Sequence, residues 1–301
     1  YAAAQGETIA VANALDEFYR PRNAGDGIAA GTLAQCVSLA DKLDTLAGIF
    51  AVGMKPTGNK DPFALRRAAL GLARTLIEGG LDLDLEVLLT NALAEIPDGA
   101  FAARAKPGEP LASGSMVLQE RRAHVAAELH AFILDRLRGY YTEQGFAPQQ
   151  FEAVAAVRPA SLVDFDRRLR AVASFAQQPE AEKLAAANKR VANILRKEGI
   201  DAGAAAQREL DAALLREPAE QALAQALDAA RSDNAPRLER AAAERDYAGA
   251  LSRLAQLQAP VDAFFDGVMV MAEDPTLRAN RVALLARIKA RFDAIAEIAL
   301  L

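Results

Sequence analysis

At 301 residues and a net charge of −5, the chain is long enough for two domains and lacks the bulk positive charge that drives non-specific nucleic-acid binding. Its hydrophobic fraction of 52% rests on alanine, with aromatics at 6% and no tryptophan, which favours helices packed closely through small side chains. No apolar run reaches the roughly 20 residues that span a bilayer, no secretory pattern precedes a cleavage site, and the lone Cys36 excludes an internal disulfide framework or a zinc ribbon, so the expected compartment is the cytosol.

Residues 7 to 19 form an amphipathic stretch closed by a loop from Pro21 to Gly27. A helix is predicted over 32–52, where Cys36, Ala40, Leu43, Ala47 and Phe50 recur at helical spacing on one face. The segment KPTGNKDPFALRR, Lys55 to Arg67, joins a turn to a helix. Asp61 stands where an N-cap belongs, Pro62 follows at the first helical position, and Gly79-Gly80 supplies the stop. A helix over Leu85–Glu95 comes next. Residues 97 to 115, rich in Gly, Pro and Ser, read as an insertion, and a long helix from Met116 to Tyr141 ends the first unit.

Gly145 to Gln150 reads as a junction, giving expected domains at 1–147 and 148–301. Beyond it, helices are predicted for Gln149–Val157, Leu162–Ala176, Pro179–Glu198, Ala204–Leu215, Pro218–Arg231, Pro236–Gln258, and from Val261 onward. No segment sustains the period-two alternation of a strand, so the expected fold class is all-α.

Several constellations invite chemistry. Asp41 and Asp44, three apart on a helix, suit a divalent metal or acid–base work, and a metal-dependent phosphohydrolase of the helical HD type is one reading. That chemistry also needs histidines ahead of an Asp, whereas His124 and His130 come far downstream and neither precedes one. Solvated or ion-paired carboxylates are the expectation, with no metal site. The Lys55–Arg67 turn lacks the GxxxxGK[ST] spacing of a Walker loop. It reads either as a phosphate-contacting face or as a capped helix whose arginines pair with Asp41 or Asp44. Cys36, on an apolar face with no histidine near it in sequence, is expected to be a core thiol rather than a nucleophile.

Two helices of the second unit carry most of its charge pattern. Lys183, Lys189, Arg190, Arg196 and Lys197 load one of them, above a stripe of Leu184, Ala187, Val191 and Leu195, and Asn188 and Asn193 add amide groups. A solvated face and a phosphate-contacting face both fit. Between Arg278 and Arg291 lie five cations (Arg278, Arg281, Arg287, Lys289 and Arg291) and no acid, with a docking seam of Leu285, Ile288, Phe292, Ile295 and Ala299. Just upstream, Phe264, Phe265 and Met269 are expected in a core, and Asp262 and Asp266 beside arginines.

Three stretches carry a resemblance: KLDTLAGIFAVGMKPTGNKDPFALRRAALGL (Lys42 to Leu72), NKRVANIL (Asn188 to Leu195) and VDAFFDGVMVMAEDPTLRANRVALL (Val261 to Leu285). In this order they resemble the beta subunit of the bacterial two-subunit glycyl-tRNA synthetase, and the chain looks like a C-terminal portion of it. The resemblance implies an HD-like helical domain followed by a helical-bundle anticodon-binding domain of DALR type. It implies a glycine–tRNA ligase subunit that recognises and positions tRNA(Gly), in an alpha2beta2 assembly with an alpha subunit that binds ATP with Mg. This portion is expected to hold neither the aminoacylation site nor a cofactor, and to bind neither membrane nor DNA. Expected RNA contacts are Lys55, Lys60 and Arg67 in the first domain, with Lys189, Arg190, Arg278, Asn280 and Arg281 in the second. Unstacked anticodon bases suit Arg and Asn donors. A scaffold that only docks other subunits is the remaining alternative.

Overall fold

The computed structural model describes residues 1–23, 25–104, 116–238 and 245–301. Among them the backbone is helical, and β pairing is confined to isolated bridges, Thr57 with Lys60 and Asp84 with Ser161. The all-α expectation is met. The chain divides into two compact units, Tyr1–Gly145 with Ala160–Val163, and Phe146–Pro159 with Asp164–Leu301. No helix among the described residues is long and apolar enough to cross a membrane.

Unit 1 is built from α1 (Ile9–Glu17), α2 (Thr32–Ala51), α3 (Leu65–Glu78), α4 (Leu85–Glu95) and α5 (Met116–Glu143). Its core gathers Leu46 and Phe50 of α2, Leu72 and Leu76 of α3, Leu89 of α4, and Ile133 and Leu137 of α5. Each such side chain contributes about 1.5–3 kcal/mol by leaving water. The Phe50 and Phe132 rings meet at 5.2 Å between centroids.

The buried face of α2 differs from the expected one. Ala47 and Phe50 are buried as expected, but Ala34, Ser38, Leu39, Lys42 and Leu46 complete the inward face, while Cys36 and Ala40 are exposed and Leu43 is half-buried. Cys36 is therefore a surface thiol, not a core one. Ser38 and Lys42 are tolerated inside because their polar atoms find partners. The Lys42 Nζ donates to Ser38 Oγ at 2.6 Å and to the carbonyls of Phe18 and Arg20 at 3.2 and 3.1 Å. Gly71 of α3 leaves room for the stem, since a Cβ there would stand 2.8 Å from Lys42 Cε.

Burial pushes the Lys42 pKa below 10.5, opposed in part by Asp41. A lysine depressed on folding carries its full penalty below the folded pKa, and the penalty is relieved as pH rises from there towards the unfolded value. Across that window, the unit 1 transition of the parent should gain on that of Lys42→Met by up to about 1.4 kcal/mol per pH unit. Thermal melts of both proteins in steps from about pH 8 to 11 measure this. Parallel curves would refute it.

Helix α3 also begins later than the Asp-Pro pair suggests. Pro62 and Phe63 lie in a turn, Ala64 takes a left-handed φ of 54°, and the helix starts at Leu65. Asp61 still supplies the cap from further back, its carboxylate accepting from the Leu65 and Arg66 amides at 2.9 Å each. The C-terminus closes at the predicted glycines. Gly80 adopts φ +64°, with Gly80 N–H on the Ile77 carbonyl at 3.1 Å and Leu81 N–H on Leu76 at 2.9 Å.

Unit 2 comprises α6 (Pro148–Ala155), α7 (Leu162–Phe175), α8 (Ala181–Lys197), α9 (Ala202–Gln207), α10 (Pro218–Leu238), α11 (Tyr247–Ala255), α12 (Gln258–Gly267) and α13 (Pro275–Asp293). Three boundaries shift from expectation. Helix α10 runs past Pro236; the segment expected to be helical from there enters 239–244, outside the described residues, and α11 restarts behind an Asp246 cap. Helices α12 and α13 are separate, and α9 gives way to a single 3-10 turn at Ala212–Leu214. In unit 1 the expected 97–115 insertion holds a 3-10 segment at Asp98–Arg104, and 105–115 lies outside the described residues.

Helix α13 is the centre of unit 2, with Val282, Ala283, Leu284, Leu285, Ala286, Ile288 and Phe292 all buried. A helix buried on every side is core rather than a docked surface element. Asp274 caps it, accepting from Thr276 and Leu277 amides at 2.8 and 3.3 Å, with Pro275 at the first position. Beyond its other end, Arg168 Nη1 donates to the carbonyls of Ala294 and Ile295 at 2.8 and 2.7 Å. That arginine is held by the buried Asp164 at 2.8 Å, which also accepts from the Tyr247 hydroxyl at 2.6 Å. The guanidinium lies 4.6 Å from the centroid of the Tyr247 ring. Burial and the Asp164 carboxylate push the Tyr247 pKa up, so its hydroxyl stays a donor.

Candidate nucleic-acid interface

The cations of α13 are largely spent inside unit 2. Arg281 is buried and donates through Nε to Glu220 at 2.6 Å and through Nη1 to the Met269 carbonyl at 2.8 Å; Glu220 is fully buried. Asn280, also buried, pairs both ways with the Asp211 backbone, accepting from its amide at 3.0 Å and donating to its carbonyl at 3.1 Å. These two expected RNA contacts are therefore buried packing residues engaged within unit 2. Arg287 donates to the Arg208 carbonyl at 2.9 Å, and Lys289 pairs with Asp293 and Glu297 at 2.8 and 3.0 Å. Arg291 is half-buried, and burial, reinforced by Arg231 and Arg287, disfavours its charged form. Arg278, half-buried, has no ion pair among the described residues.

Helix α8 presents the opposite arrangement. Leu184, Ala187, Val191 and Leu195 are buried as the sequence stripe implies, which leaves Lys189, Arg190, Arg196 and Lys197 exposed. Ala186, Lys189, Arg190, Asn193, Ile194 and Lys197 line one shallow cavity of about 410 Å³. Their spacing places them on one helix face. Lys189 and Lys197 form no ion pair among the described residues, while Arg196 donates to Asn193 at 2.9 Å. The Arg190 guanidinium lies 4.2 Å from the centroid of the Phe265 ring, and Lys183 stands 3.9 Å from Asp262. Phe265 is thus half-buried rather than core, and Met269 is exposed. Asn188 is not available to read an edge, since it is buried and donates to the Leu184 carbonyl at 2.9 Å.

The unit 1 cations divide as well. Lys55 Nζ meets Glu128 of α5 at 2.5 Å, with His124 3.5 Å from the same oxygen. Arg66 turns back to the Gly58 carbonyl at 2.5 Å, and the buried Arg74 pairs with Glu78 at 2.6 Å and with the Asp26 carbonyl at 2.7 Å. Among the described residues these arginines do not pair with Asp41 or Asp44, and both carboxylates are exposed on α2. Lys60 is exposed in the Thr57–Lys60 turn, and Arg67 is exposed on α3. Among the described residues no group of three or more His, Cys, Asp or Glu side chains is placed to hold a metal ion.

The stacked ring of Phe265 and the inward turn of α13 were beyond sequence reasoning. The one available signal was Phe265 itself, adjacent to Phe264 on a helix that cannot bury both rings on one side.

Comparison with known families matches residues 1–156 to the family described as glycyl-tRNA synthetase beta subunit, and residues 184–298 to the DALR anticodon binding domain. Among curated proteins, the chain is 53% identical over 299 residues to the glycine–tRNA ligase beta subunit of Xanthomonas campestris pv. campestris (strain 8004), covering 99% of this chain and 40% of that protein. It is 46% identical over 299 residues to the same-named protein of Xylella fastidiosa (strain M12), covering 96% and 40%, and 44% identical over 300 residues to that of Methylobacillus flagellatus, covering 99% and 38%. The chain thus spans about 40% of the length of these relatives.

Proposed function

The chain belongs to the glycyl-tRNA synthetase beta subunit family, and from this premise we propose that it holds tRNA(Gly) while a separate alpha subunit charges it with glycine. The observation that carries the reading is the exposed cation row of α8, whose Lys189 and Lys197 form no ion pair among the described residues, within the span matched by the DALR anticodon binding domain. Its role in the ligase reaction is orientation of the tRNA and selection of the right one, not bond-making. ATP with Mg belongs to the alpha subunit in this reading. The cytoplasm is the compartment where such an assembly meets its tRNA.

Lys189, Arg190 and Lys197 are the leading phosphate contacts, joined by the half-buried Arg278 in unit 2 and by Lys60 and Arg67 in unit 1. Lys55 is drawn off by Glu128. Titration of tRNA(Gly) into the chain over a salt series tests this. The logarithm of the binding constant should fall linearly with the logarithm of salt, by about 0.7 for each single-strand phosphate neutralised, hence a slope near −2 or steeper for three contacts. Binding that ignores salt, or no binding at all, would leave a docking scaffold as the better account.

A further inference from the structure

A second cavity, of about 530 Å³, lies wholly in unit 1, between the loop after α1, α2 and the start of α3. Its lining includes Tyr19, Arg22, Asp41, Lys42, Phe63 and Arg67. The volume falls in the range of small-molecule sites. Three cations face one carboxylate there, in a chain whose overall charge is −5. The Lys42 ammonium is buried and bonded only to neutral oxygens, so its charge meets no neutralising acid at hydrogen-bond distance. Arg67 and Asp41 have no ion pair among the described residues, and Arg22 Nη2 donates to the Asp16 carbonyl at 3.2 Å and stands 3.9 Å from its carboxylate.

The cavity also keeps two aromatic rings in reach of solvent, Tyr19 at 59% and Phe63 at 41% exposure. Phe63 is held there by the turn that delays α3, where Ala64 takes the left-handed φ of 54° that an L-residue rarely adopts. A conformation so disfavoured, beside a cavity it helps to line, is the kind of local strain found at binding sites.

We propose that this cavity binds a single unstacked nucleotide. The base stacks on Tyr19 and Phe63, the phosphate is held by the Arg67 and Arg22 guanidinium groups in the field of the Lys42 ammonium, and Asp41 accepts from ribose hydroxyls. Stacking on exposed rings with a phosphate on arginine is how proteins take single unpaired nucleotides. The occupant is a free nucleotide or the unpaired end of an RNA. The site shares Arg67 with the tRNA contacts proposed above but has no residue in common with the α8 face, so loss of binding on α8 substitution leaves this reading standing.

The test is calorimetric titration of the chain with a nucleoside 5′-monophosphate, the matching nucleoside, inorganic phosphate and a short unpaired oligoribonucleotide. Binding of the monophosphate should exceed that of the nucleoside or of phosphate by at least about tenfold. Arg67→Gln should weaken it about tenfold or more, and Phe63→Ala roughly fivefold to a hundredfold. Both positions are exposed, so thermal melts should match the parent. Gly71→Ala, which displaces the Lys42 stem from α3, should weaken binding with no change to either ring. An oligoribonucleotide that binds at least tenfold tighter than the monophosphate identifies an RNA end, and equal affinities identify a free nucleotide. No measurable binding, or affinities untouched by Arg67→Gln and Phe63→Ala, would overturn the proposal.

Discussion

Arg281→Met should destabilise unit 2 by about 3–5 kcal/mol and lower its thermal midpoint by roughly 6–20 °C. The variant leaves the carboxylate of Glu220, fully buried, without its guanidinium partner, and orphans the Met269 carbonyl. An uncompensated buried charge is far costlier than the intact pair is favourable. Removing the acid as well, in Glu220→Leu with Arg281→Met, should recover part of the loss. Recovery stays incomplete because Glu220 also accepts from the Glu217 amide at 2.7 Å, at the start of α10. Thermal melts of the parent, both single variants and the double variant give the coupling directly. If Arg281→Met melts with the parent, the ion pair is not the fastening that its burial implies.

The second large effect concerns RNA. Reversing Lys189, Arg190 and Lys197 to Glu together should reduce tRNA(Gly) affinity by about a thousandfold or more, since each lost charge-assisted hydrogen bond is worth about 1.5–3 kcal/mol. The salt slope should fall by about 2. All three positions are exposed, so folding should be unaffected. Arg278→Glu alone should change the slope by no more than about 0.7. Equal losses from the α8 triple variant and from Arg278→Glu would move the interface back to α13.

The contrast between these helices shows where sequence reading succeeds. Helix type, the α8 stripe, the Gly79-Gly80 stop and the all-α class were legible, because each depends on neighbours three or four residues away. The fate of the α13 cations was not. Arg281 finds its acid 61 residues earlier, and Asn280 finds its backbone partner 69 residues earlier. A run of arginines without nearby acids looks solvated in sequence, and only tertiary packing reveals that acids and carbonyls arrive from α10 and the loops. The α2 face failed for a related reason. The two stripes share Ala47 and Phe50, and the one that packs inward contains a lysine, which is acceptable because Ser38 and the loop carbonyls of Phe18 and Arg20 reach it. Family resemblance supplied what local physics could not, yet it also favoured Asn280 and Arg281 as contacts, and their burial sets that aside.

The Arg190 guanidinium, stacked 4.2 Å from the Phe265 centroid, carries one more implication. A planar cation lying against a ring has most of its rotamers already frozen, while the N–H groups at its edges stay free to meet phosphate. The ordering cost of a long side chain, about 0.5–1.5 kcal/mol, is then met in the free protein instead of at the moment of association. Lysine at this position would keep the charge but lose the flat stacking surface and the fork of donors. What distinguishes Arg190 from its neighbours on α8 is therefore readiness: its side chain is already ordered against a ring before any partner arrives.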